Sequence, residues 1–361
     1  MTVKHLSGRR IQGQSGDFAP TPAVAGGWVE VGRTTLGSAG DTIEVGSIPD
    51  KRYYKVLWNG NPSGNLDDIH LTLGNSTIDT GSNYARRLCN NGGSEEPVIN
   101  QSSIDIDRNN GAYDRFGVMY IANLSGKEKL VISNRVHGYT AGASTAPLRC
   151  ESIGKWTNTS NALDILRLTN VGTGDFAIGS EVVVLGWDTA DTHTTNFWEE
   201  LASVDLSGGA STSLSTGTFT AKKYLWVQIF SKKASAGGIQ PSLKVGTGGT
   251  IATGSPYAFR WSNDGAADPT PSGNLAMCPI AWLGANVHFS NTFIINNSAN
   301  EKLFINHSVA NVTAGTGTAP QRVESVGKFA NTSGQINIID LYDWDSASLG
   351  TETIMKVWGS N

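Results

Sequence analysis

Apolar positions along the chain come in short runs, not in long amphipathic stretches. In the first half they are Tyr53 to Trp58, Lys129 to Val136, Ala162 to Leu168 and Val182 to Leu185, and in the second Tyr224 to Phe230, Lys302 to Val309, Gln335 to Leu341 and Thr353 to Trp358. Each run is rich in β-branched and aromatic residues and is bounded by Gly, Asn and Ser clusters, the pattern of strands joined by turns. No stretch of a dozen residues keeps a 3.6 period, so no long helix is predicted. The expected class is all-β. Roughly eight strands in about 165 residues suit a jelly roll, two four-stranded sheets around one core. An immunoglobulin-like sandwich, nearer 100 residues, is the second choice.

A duplication governs this pattern. Thr140 to Ser160 reads TAGASTAPLRCESIGKWTNTS and Thr313 to Ser333 reads TAGTGTAPQRVESVGKFANTS, with 14 of 21 positions identical at an offset of 173. The same offset carries Tyr84-Ala85 onto Tyr257-Ala258, Gly92 onto Gly265, Phe116 onto Phe289 and Glu128-Lys129-Leu130 onto Glu301-Lys302-Leu303. Lys51-Arg52-Tyr53 matches Lys222-Lys223-Tyr224 and Ile178-Gly179-Ser180-Glu181 matches Leu349-Gly350-Thr351-Glu352 at 171, and Trp28 matches Trp198 at 170. A period this long means two whole domains and not a solenoid. The expected organisation is an N-terminal arm over residues 1–27, one jelly-roll sandwich over 28–188 and its repeat over 197–361. The short polar linker TADTHTTN is expected to leave the two sandwiches end to end.

Composition agrees and narrows the choice of partner. Forty-three Gly against 12 Pro fits many turns, and 39% hydrophobic with 16% charged residues fits a folded chain. With 27 Lys plus Arg against 31 Asp plus Glu, the net charge of −4 offers no general attraction to nucleic acid or to an anionic membrane. No apolar run approaches the roughly 18 residues of a membrane span, and the N-terminus lacks the apolar core of a cleaved leader, so the chain is expected to be made in a cytoplasm. Cys89, Cys150 and Cys278 specify no disulfide framework, and Cys150 matching Val323 marks a core position.

Candidate chemistry is sparse. The histidines His5, His70, His137, His193, His288 and His307 have no metal-box spacing, and no Gly-x-Ser-x-Gly elbow occurs. No catalytic residue, cofactor site or metal site is predicted. The carboxylate pairs Asp67-Asp68, Glu95-Glu96, Asp105 with Asp107, and Asp343 with Asp345 are read as solvated loop charge in preference to calcium or glycosidase sites. Trp156 matches Phe329 and Trp28 matches Trp198, as core positions should, whereas Trp58, Trp187, Trp261, Trp282 and Trp344 lack an aromatic counterpart and are candidate exposed contacts. The duplicated box Arg149-x-Glu151-Ser152-x-Gly154-Lys155 and Arg322-x-Glu324-Ser325-x-Gly327-Lys328 reads as a strand whose charged side chains form an ion-pair ladder on the solvent face. In the arm, Arg9, Arg10, Ile11, Phe18 and Val24 are the candidate attachment residues. The arm is too polar to fold alone and is expected to lie along a partner.

At these boxes the chain resembles virion structural proteins of marine tailed bacteriophages, whose repeats read approximately GRTTLGSAGDTI, NEKL, TAGxGTAP, VGKWxNTS and GDFAIGSE. Here Gly32 to Ile43 and Gly174 to Glu181 carry the pattern in the first unit, and Asn300 to Leu303 with the TAGTGTAP box carry it in the second. The opening Lys4-His5-Leu6-Ser7-Gly8-Arg9-Arg10-Ile11-Gln12-Gly13 is similar to the N-terminal tag of such proteins. The second unit departs where Ala202 to Ser207 replaces the Gly-Arg-Thr-Thr box. The resemblance implies a structural protein of a phage particle, a head decoration or a tail or fibre component, assembled in the host cytoplasm. Its partners would be other virion proteins and copies of itself. The alternative reading is a tandem carbohydrate-binding module for host surface glycans.

Overall fold

The computed structural model describes residues 24–25, 27–188, 191–193, 195–234, 239–266, 268, 272–281, 287–311, 316–344 and 347–361. Among the described residues there is no helix. Twelve strands define the first half: β1 (Val29–Thr35), β2 (Thr42–Val45), β3 (Tyr53–Gly60), β4 (Ile69–Asn75), β5 (Tyr84–Asn90), β6 (Glu96–Gln101), β7 (Ile104–Asp107), β8 (Arg115–Ala122), β9 (Lys129–His137), β10 (Leu148–Trp156), β11 (Ile165–Asn170) and β12 (Glu181–Trp187). Twelve more follow in the second: β13 (Glu199–Asp205), β14 (Ser213–Ser215), β15 (Tyr224–Lys232), β16 (Pro241–Thr247), β17 (Tyr257–Asn263), β18 (Ser272–Leu275), β19 (Cys278–Pro279), β20 (Val287–Ile295), β21 (Lys302–Asn311), β22 (Gln321–Phe329), β23 (Ile336–Asp343) and β24 (Ile354–Ser360).

Each half is a two-sheet antiparallel sandwich in which successive strands cross between the sheets, the jelly-roll habit. The large sheet of the first half runs β1-β12-β3-β8-β9-β10-β5-β6, and that of the second runs β13-β24-β15-β20-β21-β22-β17-β18, the same order throughout. The small sheet runs β7-β4-β11-β2 in the first half, and its counterpart runs β14-β23-β16 with β19 also on β16. The sheets are therefore eight- and five-stranded, counting a two-residue strand at each hairpin, and not the two four-stranded sheets expected. Short strands such as β2 and β14 carry too little hydrophobic signal to be counted from sequence. The far-end match also moves: backbone bridges pair Gly40 with Phe176 and Ser211 with Leu349, so Phe176, not Ile178, is the counterpart of Leu349. Both of these side chains are fully buried.

Strand alternation builds the two sandwich cores. Tyr54, Val56 and Trp58 of β3 pack on Leu71, Leu73, Leu166 and Leu168 of the small sheet, and Leu225, Val227 and Ile229 of β15 pack on Leu243, Val245, Ile339 and Leu341. Several repeated boxes serve these cores. The Tyr84 hydroxyl donates to Leu73 O (2.8 Å) and accepts from Leu73 N (3.0 Å), and Tyr257 does the same with Val245 O (3.0 Å) and Val245 N (2.7 Å). Each tyrosine thus ties the large sheet to the small one. Gly154 and Gly327 let the small sheet approach, since a Cβ there would lie 2.7 Å from Ile104 and 2.5 Å from the Cys278 sulfur. Lys129 and Lys302 are buried and donate to loop carbonyls, Lys127 O (3.0 Å) in one copy and Asn300 O (2.8 Å) in the other.

A third apolar cluster lies between the halves. Leu57, Phe116, Val118, Val136, Val183 and Leu185 from the other face of the first large sheet meet Trp198, Tyr224, Phe293, Ile295, Leu303, Ile305 and Val326 from the second. The two sandwiches therefore stand face to face across their large sheets, and the end-to-end expectation is corrected. The physical reason is two-sided burial: β3 is buried at seven consecutive positions from Tyr54 to Gly60, which alternation alone would not produce. The linker is pinned as well. Val24 and Ala25 pair with His193 and Thr192 in an antiparallel two-stranded sheet, so the end of the arm is held by the chain itself.

Candidate functional site: the seam between the sandwiches

The centre of the seam holds a lysine. Lys55 on β3 is buried, with its Nζ 5.0 Å from the Trp28 ring, 5.3 Å from Tyr120, 4.7 Å from Trp226 and 5.0 Å from Phe293. Four ring faces attract the ammonium, yet desolvation prevails and lowers its pKa to about 8. To one side Glu181 accepts from Tyr224 (2.6 Å) and Thr35 (2.5 Å) and pairs with Lys223 (2.9 Å). Burial opposes ionisation of Glu181, but these donors prevail and lower its pKa to about 2.

Arg149, Glu151 and Glu324 of the duplicated Arg-x-Glu box face this seam, which corrects the ladder expectation for them, while Lys155 and Arg322 reach solvent in ion pairs with Glu128 and Glu324. Arg149 on β10 pairs with Asp268 of the second half (2.7 Å), with Glu151, and at 3.6 Å with Glu324 on β22. Glu151 and Glu324, equivalent positions of the two copies, come together around Arg149 at the seam. Burial and the facing carboxyl push the Glu151 pKa up to about 7, against the pull of Arg149. Burial also keeps His307 below the usual imidazole range. Beside the pair is a cleft of about 240 Å³ lined by Arg87, Cys89, Glu95, Ile132, Ile153 and Arg322.

A second cleft of about 270 Å³ opens at the end of the seam between Tyr113, Asp114, Gly138, Thr140 and Ala141 of one half and Asn300, Glu301, Leu303 and Thr332 of the other. It joins the first copy of the TAG box to the second copy of the NEKL box. Asn300 Nδ2 donates to Asp114 Oδ2 (2.7 Å), and Lys328 donates to Gly138 O (3.2 Å) and Thr140 O while lying 3.6 Å from Glu301. Burial raises the Asp114 pKa, tempered by the Asn300 hydrogen bond. Two carboxylates, a carboxamide and a half-buried phenol ring make this cleft suited to a neutral polyhydroxylated ligand and unsuited to an anion.

The residues singled out in the sequence scatter. Trp58 is fully buried in the first core, with its indole over Gly117, and is not an exposed contact. Trp187 stacks on Tyr53 (5.5 Å) and Trp261 on Phe259 (4.5 Å), both half-buried, and Trp344 is half-buried. Arg9, Arg10, Ile11, Phe18 and Trp282 lie outside the described residues, as does Asp345, and Val24 sits in the two-residue strand above. Asp105, Asp107 and Asp343 are buried, which corrects their reading as solvated charge. Asp343 accepts from Gln240 N and Ala347 N, and Asp107 pairs with Arg115 and Arg135. Asp68, His70 and Asp105 bring three potential ligand atoms within 4.8 Å of one another. Arg86, 2.6 Å from Asp105, and Arg108, 3.3 Å from Asp105 and 3.6 Å from Asp68, hold those carboxylates as an ion-pair network. Sequence reasoning missed Lys55, Tyr113, Asp114 and Asn300, because no spacing rule joins residues that meet only when two domains face each other.

No protein-family model and no curated protein matches the chain. Among solved structures, domains LG4–5 of the mouse laminin α1 chain align over 92% of this chain and 90% of that one, at 10% identity and a TM-score of 0.17. A Pseudomonas aeruginosa FadL homologue aligns over 87% and 92%, at 9% identity and a TM-score of 0.11. Likeness at this level carries no argument about fold or function.

Proposed function

We propose that the chain is a structural protein of a phage particle, a rigid two-sandwich block on the outside of the head or tail, attached through its N-terminal arm to other virion proteins or to copies of itself. The observation that carries the reading is where the repeated boxes are used. Arg149, Glu151, Glu324, Lys328, Gly154, Gly327, Tyr84 and Tyr257 stitch sheet to sheet or sandwich to sandwich, as a load-holding subunit requires. The resemblance of the repeat and of the N-terminal tag to virion proteins supports the same reading. Deleting residues 2–23 tests it, leaving the Val24–Ala25 pairing intact: the truncated protein keeps its melting temperature and is lost from purified particles. Incorporation at wild-type occupancy sinks the attachment role.

One observation favours carbohydrate binding as a second reading. The end cleft presents Tyr113 beside Asp114 and Asn300, a ring next to hydrogen-bonding groups, as a saccharide site needs. A glycan array probed with the intact protein and with Tyr113→Ala separates the readings. Binding that disappears in the variant supports the module, and a blank array for the intact protein removes it.

A further inference from the structure

The interior of the first sandwich carries buried hydrogen-bond donors that its own residues do not satisfy. Arg115 and Arg135 both pair with the single carboxylate of Asp107, and all three side chains are fully buried. Arg115 is satisfied, since it also donates to Leu66 O (3.0 Å), Gly111 O (3.2 Å), Tyr113 O (3.2 Å) and Asn109 O. Arg135 is not: its Nε and Nη1 have no partner among the described residues. Neither ring nitrogen of the buried His137 has a partner, nor do Trp58 Nε1 and Ser133 Oγ. Buried donors of this kind are rare, and each leaves a desolvation cost standing.

Strand register gathers these groups into one patch. Ser133, Arg135 and His137 alternate along β9 and point to the same face. Arg135 lies opposite Gly117, which lies opposite Trp58 on the next strand. A Cβ on Gly117 would fall 1.9 Å from Trp58 Nε1, so the indole N–H lies over Gly117, one strand from Arg135. Arg115 sits opposite His137, and Cys150 opposite Arg135. Burial and the cations Arg115, Arg135 and Lys328 keep the His137 ring neutral, so it has an N–H to offer. Burial pushes the Cys150 thiol up to about 12, so it carries no negative charge. Donors surround the patch, and two guanidiniums there share the one carboxylate of Asp107.

We propose that this patch of the first sandwich binds one small monovalent anion of halide size, held by Arg135 with the N–H groups of Trp58 and His137. A halide accepts from several donors at once without needing a directed lone pair, which a carboxylate or water does less well beside unpartnered guanidinium, indole and imidazole N–H groups. The second sandwich lacks the site: Ile229, His288, Ser308 and Ala310 stand where Trp58, Arg115, Arg135 and His137 stand in the first. The molecule therefore contains its own control.

Crystals of the full chain grown in or soaked with bromide test this directly. An anomalous difference peak beside Arg135 Nε and Nη1, with none at Ser308, is expected. In solution the melting temperature rises with the logarithm of chloride concentration and does not rise in gluconate at equal ionic strength. The Arg135→Met variant, which removes the unpartnered guanidinium donors, loses that chloride dependence. The crystal experiment needs no variant, so a folding failure of Arg135→Met leaves the test intact. Absence of the peak together with identical melting in the two salts, the result for ordered water at these donors, overturns the proposal.

Discussion

Lys55 shows how one residue records a balance of forces. Each ring over its ammonium is worth up to about 2 kcal/mol when desolvated, against several kcal/mol for taking the charge out of water. Its folded pKa of about 8 lies below the ordinary 10.5, so between these values the unfolded chain holds more protons and stability climbs as pH rises. Replacing Lys55 by Met is expected to raise the melting temperature at pH 7 and to reduce the climb above pH 8, which Lys302, also lowered to about 8, shares, as read from thermal melts across that range. A Met variant less stable than wild type at pH 7 would show that the rings outweigh desolvation. Gly327 makes a steric point at the same scale. Gly327→Ala sets a methyl 2.5 Å from the Cys278 sulfur and is expected to cost about 1–3 kcal/mol in urea unfolding, while Gly317→Ala, which meets nothing nearby, serves as the control.

At the scale of strands, the facing pair β10 and β22 brings equivalent carboxyls together. Glu151 is raised from 4.5 to about 7 in the fold, so between these values the folded chain holds the extra proton and stability falls as pH rises. Its contribution is complete below pH 4.5 and lost above 7. Burial sets it first, and the charged neighbours that act on it are Arg149 and Glu324. Glu324→Gln, which removes the facing charge at nearly the same size, is expected to flatten this dependence between pH 5 and 8. Equal slopes for variant and wild type would assign the dependence to other groups. Strands also show what the sequence could reveal. Alternation and turn residues placed β3, β9, β15 and β21, and the 173-residue offset between boxes predicted the common strand order. The partner of the outer face was not legible. A Tyr53 to Trp58 run with no polar alternation other than Lys55 signals burial on both faces, but such a run names no partner. The Arg-x-Glu box is charged because it lines a polar seam, and charge in a strand reads as solvent until the second sheet is in place.

The molecule as a whole is layered small sheet, large sheet, large sheet, small sheet, with apolar clusters in all three gaps. The middle cluster couples the halves, so a single calorimetric transition is expected instead of two. Phe293→Ala, which removes a nearly buried ring from that cluster, is expected to cost about 3–5 kcal/mol and to uncouple the melting of the halves. Two resolved transitions in the wild-type protein would show that the seam does not unite them.

Leu303, Ile305 and Val326 are buried in the seam while their first-half counterparts Leu130, Ile132 and Ile153 are exposed, and Phe116 and Val136 are buried there while Phe289 and Val309 are exposed, so the two copies meet through different patches. The seam thus packs unlike patches of two copies of one fold, which are joined end to tail by one peptide linker. Joining them turns a second-order association into a first-order closure, governed by linker reach and no longer by protein concentration. A pair of separate sandwiches using the same contact would come apart on dilution, whereas the joined form keeps the contact closed at any concentration.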